Sequence, residues 1–281
     1  MYLNFTKPLK LLISSMCLLG SLQCASKEPE ASQEQSVSQH MAEKKLKDEG
    51  FLVEKDPTAH LDMLTDESLK KDSKLKKWSS VEPGFDKLMV MFEEIPGQPP
   101  YSLQMKRLMN PDPNMFYPIK GALSSSEIAG AKKRGIPVGF MTTPRGYFPG
   151  ENVTIRLTTN DPNVFREITI CPRPLVLKKS SGEVLMRATL RSHPLELTCY
   201  VLDICGIGKD EQFQFHSKSG SENMQHTHKG PVFSTYMPGV VRSKGGTAII
   251  KLVLEDGSSH KMEMPWGTEL LRCATRIEKS D

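Results

Sequence analysis

The hydrophobic and polar positions of this chain change their period near residue 135. Val-Thr-Ile-Arg-Leu at 153–157 alternates apolar and polar residues, and the alternation returns at 167–170 and 195–201. A period of two is typical of a strand with one buried face. Further strands are predicted at 184–190, 212–216, 232–236, 247–254 and 261–264, with a last one near 270–275. Because Gly- and Pro-containing turns separate many of these segments and no helices alternate among them, the pattern predicts an antiparallel β-sandwich at 136–281.

Between 51 and 135 the apolar spacing is helical instead. The best stretch, with steps of three and four, is formed by Phe85, Leu88, Met89, Phe92 and Ile95. A second, weaker helix is predicted from Leu61, Leu64, Leu75 and Trp78. Ser124 and Glu127 form a capping-box pattern, which predicts a short helix that stops at Gly135. We interpret this region as a small helical layer on the sandwich; the alternative is a groove for a partner.

The N-terminus has the layout of a secretory signal peptide. Lys7 and Lys10 precede the apolar run 11–20, and Cys24 ends the segment. This run of about a dozen residues is shorter than the roughly 20 that a transmembrane helix needs. We therefore expect residues 1–23 to be removed rather than to remain as a membrane span.

The junction at Cys24 resembles that of bacterial lipoproteins, in which a lipobox precedes an acylated cysteine. Ser21 and Gln23 depart from the common lipobox, and Leu22 lies one place late; looser lipoboxes of this kind are similar to those of spirochaetes. The resemblance implies a palmitate-type anchor on Cys24 and a place in the bacterial cell envelope, at the outer membrane. The alternative is an ordinary secreted protein cleaved near Ser26.

Residues 24–50 have the composition of a tether. The stretch 25–50 is rich in Ser, Glu, Gln and Lys, and its only aromatic-ring side chain is that of His40. Such a stretch buries too little apolar surface to offset the entropy of ordering it, so we predict disorder.

The start of the predicted sandwich carries a second resemblance. The run Tyr-Phe-Pro-Gly-Glu-Asn-Val-Thr-Ile at 147–155 resembles the first strand of bacterial immunoglobulin-like modules, in which a Pro-Gly-Glu turn precedes an alternating strand. The resemblance implies an immunoglobulin-like fold for the second half of the chain.

Composition and charge restrict the class of protein further. The 281 residues are 38% apolar and 25% charged, as in a soluble globular protein. The formal charge is 37 − 33 = +4, and it falls to 35 − 33 = +2 when Lys7 and Lys10 leave with the signal peptide. This small excess does not call for nucleic acid as a partner.

Four cysteines follow Cys24 in the mature chain: Cys171, Cys199, Cys205 and Cys273. In an exported protein an even number favours two disulfides. A strand between Cys199 and Cys205 would hold them about 20 Å apart, beyond the roughly 7 Å that a disulfide allows between Cα atoms. Two pairings remain, Cys171–Cys199 with Cys205–Cys273 or Cys171–Cys205 with Cys199–Cys273. The alternative is four free thiols.

One cluster has the character of a metal site. Met224, His226 and His228 alternate in what the sequence indicates is a polar loop beginning near Lys218, with His216 upstream. Alternate residues of an extended segment point the same way, and thioether with imidazole suits copper, with zinc as the other candidate. The competing interpretation is a solvated loop without a cofactor.

The sequence contains no nucleophile elbow, HExxH, P-loop or GxGxxG motif. The leading hypothesis is therefore a non-enzymatic, lipid-anchored envelope or cell-surface protein, an interaction or adhesion module that binds a protein or extracellular ligand. The alternatives are an envelope metal-handling protein that uses the His/Met cluster and an uncharacterised hydrolase.

Overall fold

The computed structural model describes residues 41, 43–64, 87–144, 146–192, 197–239 and 244–275. These residues form four antiparallel sheets, so the mainly β class predicted from the sequence is confirmed. The sheets enclose two hydrophobic cores, and we refer to the first unit and the second unit according to the core that each sheet covers.

The first unit contains a five-stranded sheet, in the order β1-β8-β7-β4-β5, and a three-stranded sheet, in the order β2-β3-β6. Its strands are β1 (Leu52–Glu54), β2 (Ala59–Leu64), β3 (Lys87–Phe92), β4 (Ser102–Lys106), β5 (Tyr117–Pro118), β6 (Val138–Thr142), β7 (Val153–Thr158) and β8 (Phe165–Ile170). Helix α1 (Ser125–Lys133) packs on the same core through Ile128 and Ala131.

The second unit is a sandwich of two four-stranded sheets, in the orders β14-β11-β10-β9 and β13-β12-β15-β16. Its strands are β9 (Leu175–Lys178), β10 (Val184–Leu190), β11 (Tyr200–Ile204), β12 (Gln212–Ser219), β13 (Glu222–Lys229), β14 (Val232–Tyr236), β15 (Gly245–Leu254) and β16 (Ser259–Gly267). Helix α2 (Thr268–Thr275) follows β16 and buries Leu270 against this core.

The helices predicted before α1 are wrong where the structure describes the chain. Leu88, Met89 and Phe92 belong to strand β3, Ile95 follows it, and Leu61 and Leu64 lie in β2. Phe85, Leu75 and Trp78 fall outside the described residues. All six residues of β3 are buried, including Met89 and Met91 on the side away from the first core. A strand buried on both faces reads as an unbroken apolar run, which periodicity cannot distinguish from a helix.

Strands that precede residue 135 pair with strands that follow it. Strand β3 pairs with β6, and β4 pairs with β7. The predicted boundary between a helical region at 51–135 and a sandwich at 136–281 therefore falls inside the first unit. The second unit begins near β9, about 40 residues later than the predicted boundary.

Helix α1 is confirmed as the capping box predicts. The Ser124 hydroxyl accepts a hydrogen bond from the Glu127 N–H, and the Glu127 carboxylate accepts one from the Ser124 N–H at 2.7 Å. The Ser124 hydroxyl also donates to the Glu127 carboxylate at 2.7 Å, and this bond, followed by the one from the Ser124 N–H, lowers the pKa of Glu127. Gly135, at φ +61°, follows the helix in the left-handed conformation that glycine adopts without strain.

The last predicted strand, near 270–275, is wrong because that segment is helix α2. Gly267 ends β16 with φ +57°, and the Thr268 N–H donates to the Lys244 carbonyl as the helix begins. Leu270 is fully buried and Leu271 is partly buried against the second core. Two adjacent apolar residues that both contact one core fit a helix better than a strand, whose neighbouring side chains point to opposite faces.

The predicted tether at 24–50 is too long at its C-terminal end. Residues 43–48 are helical, and Leu46 is buried in the first core. Glu43 forms an ion pair with Lys55, and the Lys47 carbonyl accepts a hydrogen bond from Arg187 at 3.1 Å. Packing therefore begins no later than residue 43, because one leucine in this polar stretch reaches the core.

The predicted signal peptide at 1–23 and the proposed acylation site Cys24 lie outside the described residues. None of the helices in the described ranges has the length and apolar character needed to span a bilayer.

The two units meet at residues 147–151, which form the Pro-Gly-Glu turn and its flanks. Tyr147 belongs to the first core, and Phe148 belongs to the second. The buried Glu151 carboxylate accepts hydrogen bonds from Arg107 at 2.9 and 3.1 Å and from the backbone N–H groups of Leu108 and Phe148 at 2.9 and 3.0 Å. These four bonds tie the turn to itself or to the segment that follows β4.

Candidate functional site

The His/Met cluster lies on strand β13, not in a loop. Eight consecutive residue pairs join β13 to β12, from Ser219 with Glu222 to Gln212 with Lys229. The hairpin turns at Gly220, which has φ +60°. The loop prediction is wrong because β13 is an edge strand of its sheet, and an edge strand can be polar on most of its length while its backbone pairs on one side.

Strand geometry places Met224, His226 and His228 on the same face of β13, as their alternation predicts. In register they face Ser217, Phe215 and Phe213 of β12. The two imidazole rings are 6.2 Å apart between centroids. His228 stacks on Phe213 at 5.4 Å, whereas His226 is exposed.

His216 is not part of this cluster. It occupies β12 between two inward-facing residues, Phe215 and Ser217, so its side chain lies on the opposite face of the sheet. Its ring hydrogen-bonds to the Gln214 side chain at 3.2 Å.

A cleft of about 290 Å³ separates the β13 edge from the β14 edge of the facing sheet. Its floor is apolar and aromatic, and Met224, His226 and His228 form one wall; the floor and the other wall include Leu202, Ile204, Phe215, Val232 and Tyr236. The Tyr236 hydroxyl hydrogen-bonds to the Ser217 hydroxyl at 2.6 Å, and burial raises the pKa of Tyr236. The contribution of β11 and β14 could not be inferred from local sequence, because it depends on how the two sheets face each other.

Among the described residues, no strand pairs with the second side of the β13 backbone. Seven of its eight residues are exposed, and its register with β12 has no bulge. Charged residues occur only at its ends, as Glu222 and Lys229. Met224 remains 46% exposed.

All four described cysteines, Cys171, Cys199, Cys205 and Cys273, are free thiols, so neither predicted disulfide pairing is present. Cys199 and Cys205 flank β11, as expected, and Cys205 is exposed beside the Arg187 guanidinium at 3.8 Å. Cys171 is buried at the end of β8, which raises the pKa of its thiol to about 12. Cys273 lies on α2 rather than on the strand predicted near 270–275.

Within the described ranges, no group of three or more His, Cys, Asp and Glu side chains is arranged to hold a metal ion. The β13 cluster differs from such a group because its third member is the Met224 thioether. Comparison with known proteins does not assign the site: no protein-family model matches the chain, and no curated protein gives a significant match.

Proposed function

We propose that this protein is a lipid-anchored, non-enzymatic interaction module of the bacterial envelope, and that the β13 edge is its recognition surface. The observation that supports the proposal is the open edge itself. Natural sheets protect their edges with short strands, bulges, prolines or central charges. Strand β13 has eight residues in unbroken register, and the six between Glu222 and Lys229 include no Asp, Glu, Lys or Arg.

An edge of this kind binds an extended segment by adding it to the sheet. Backbone hydrogen bonds supply affinity, and pockets for alternate side chains supply specificity. The cleft beside His226 offers such a pocket, since its floor is apolar and Tyr236, Ser234 and the imidazoles provide polar contacts at its margin. We therefore expect a protein partner that presents a strand with an apolar side chain over the cleft.

The anchor is tested by replacing Cys24 with alanine. We expect this variant to lose membrane attachment, because a thioether-linked lipid requires the cysteine sulfur and several buried acyl methylenes hold the chain at the bilayer. Intact mass should show the acyl groups on the wild-type mature chain only, and detergent fractionation should move the variant to the soluble fraction. Recovery of the variant in the membrane fraction at wild-type amount would contradict the proposal.

The recognition surface is tested by photocrosslinking in cells. A benzoylphenylalanine at Gln225, in the middle of β13, should give a discrete protein adduct. The matched control carries the same residue at Asn163, an exposed turn position in the first unit. Failure to form an adduct at Gln225, or equal yields at both positions, would exclude the β13 edge as the recognition surface.

A second candidate function is metal handling, and the shared face of Met224, His226 and His228 favours it. Two imidazoles and a thioether are ligands that suit copper, particularly Cu(I), whereas zinc sites more often use thiolate, imidazole and carboxylate ligands. His226 is exposed and can change rotamer to approach an ion that His228 also binds. The three side chains would hold the ion at the mouth of the cleft.

This second function predicts uptake of Cu(I), with weaker binding of Cu(II) and Zn(II), by calorimetric titration. The joint substitution of His226 and His228 by alanine should remove uptake and leave the fold intact, with His216→Ala as the matched control. Binding should weaken as the solution is made acidic, because a protonated imidazole cannot coordinate a metal ion. Absence of uptake of all three ions at neutral pH would exclude metal handling.

A further inference from the structure

The outer face of the β14-β11-β10-β9 sheet carries a shallow depression of about 220 Å³ where the N-terminal segment joins it. Phe233 projects from this face at 73% exposure. Its register partner Asp203 pairs in turn with Arg187, so these residues form one row across three strands. Lys47 and Arg191 line the same depression.

The charge of the depression is positive. Lys47, Arg187 and Arg191 outweigh Asp203, which leaves a formal charge of 3 − 1 = +2. Neither Arg187 nor Arg191 forms a salt bridge with a carboxylate among the described residues. One Arg187 nitrogen donates to the Lys47 carbonyl at 3.1 Å, which holds the N-terminal segment against the sheet.

Two more large apolar side chains are exposed next to the ends of strands β11 and β14, outside the depression. Met237 follows Phe233 by four residues and is 55% exposed. Leu197 is 64% exposed, and its Cδ1 atom is 3.6 Å from the position that a Cβ of Gly239 would occupy. Single exposed apolar residues are common, but three on the paired strands β11 and β14 or next to their ends, with one of them lining a basic depression, favour a binding surface.

The position of this face relative to the N-terminus indicates what it binds. Residues 43–48 pack beside it, so a chain anchored at Cys24 reaches the body of the protein at this face. Eighteen residues separate Cys24 from Glu43, and a chain of eighteen residues spans at most about 60 Å. The tether therefore keeps Phe233 and the basic residues within reach of the bilayer.

We propose that this face docks on an anionic lipid bilayer. Phe233, Met237 and Leu197 insert into the interfacial region, while Lys47, Arg187 and Arg191 contact headgroup phosphates. The inference rests on the proposed lipid anchor, because an anchored chain is held beside a bilayer on which this face can dock. Docking would orient the second unit relative to the membrane.

The experiment uses the full mature chain carrying Cys24→Ala, so that attachment through the acyl group does not obscure weak docking. Its cosedimentation is measured with vesicles of phosphatidylcholine and with vesicles that also contain phosphatidylglycerol. We expect binding to the anionic vesicles only, and weaker binding at high salt. Arg191→Gln should reduce the partition coefficient about fivefold, and Phe233→Ser about tenfold.

Matched controls are Lys261→Gln and Met115→Ser, which alter an exposed cation and an exposed methionine elsewhere. Both controls should bind anionic vesicles as the parent chain does, and circular dichroism should show that all variants melt alike. Equal binding by all variants, equal binding to both kinds of vesicle, or no binding would overturn the docking proposal. If the proposed anchor is wrong, the intact mass of the wild-type mature chain will lack the acyl groups, and this result is independent of the vesicle measurement.

Discussion

Replacing Glu151 with alanine is expected to lower the free energy of unfolding by about 3–5 kcal/mol. The Glu151 side chain is fully buried, and the Arg107 side chain beside it is only 17% exposed. Removing the carboxylate leaves a guanidinium without its partner and two backbone N–H groups, those of Leu108 and Phe148, without an acceptor. A buried donor that loses its acceptor incurs the full cost of its desolvation.

The measurement is chemical denaturation, with Glu94→Ala as the matched control. Glu94 pairs with Arg166 at 3.0 Å, but its side chain is 64% exposed. An exposed pair of this kind contributes roughly 0–1 kcal/mol. A loss for Glu151→Ala as small as that for Glu94→Ala would show that the turn does not depend on its buried carboxylate.

The strands that could be predicted from the sequence are those with one buried face. In β7 the buried residues Val153, Ile155 and Leu157 alternate with half-buried polar ones, and β15 shows the same period. In such strands each polar side chain remains in contact with water, so the pattern records which face meets the core. The class of fold follows from many segments of this type.

Strand β3 and strand β13 show the two ways in which this signal disappears. Both faces of β3 are buried, and the five residues after Lys87 are all apolar, so they mark no period. Strand β13 has the opposite problem, because seven of its eight residues are exposed and none needs to be apolar. Its pairing is determined by the backbone of β12, which local composition does not record.

Only part of the candidate site could be predicted from the sequence. The alternation of Met224, His226 and His228 predicts their shared face whether the segment is a loop or a strand. The cleft, in contrast, requires Tyr236 from the facing sheet, and Tyr236 lies opposite only because β13 and β14 are the edges of two sheets in one sandwich. Such long-range placement has no local signature.

The local pattern of apolar and polar residues also did not predict where the chain passes from the first core to the second. The run around Tyr147 and Phe148 reads as a turn before a strand, yet its two aromatic residues enter different cores. Gly150 forms two further backbone hydrogen bonds to the chain that leads into and forms the second unit. Its N–H donates to the Arg173 carbonyl at 2.7 Å, and its carbonyl accepts from the Leu190 N–H at 2.8 Å. The turn therefore couples the packing of the first unit to that of the second.

Phe148→Ala tests this coupling and is expected to cost about 3–5 kcal/mol of unfolding free energy, because a fully buried aromatic ring leaves a cavity that its neighbours fill incompletely. The matched control is Phe233→Ala, which removes the same atoms from a side chain that is 73% exposed and should change stability by less than about 0.5 kcal/mol.

Denaturation followed by tyrosine fluorescence and by far-ultraviolet circular dichroism distinguishes coupled from separate units. Since Phe148 lies in the second core and its N–H binds the buried Glu151 carboxylate, the substitution should weaken both units and shift both signals to the same lower midpoint. A shift confined to one of two separate transitions would show that the units unfold independently and that the turn at 147–151 is only a connection between them.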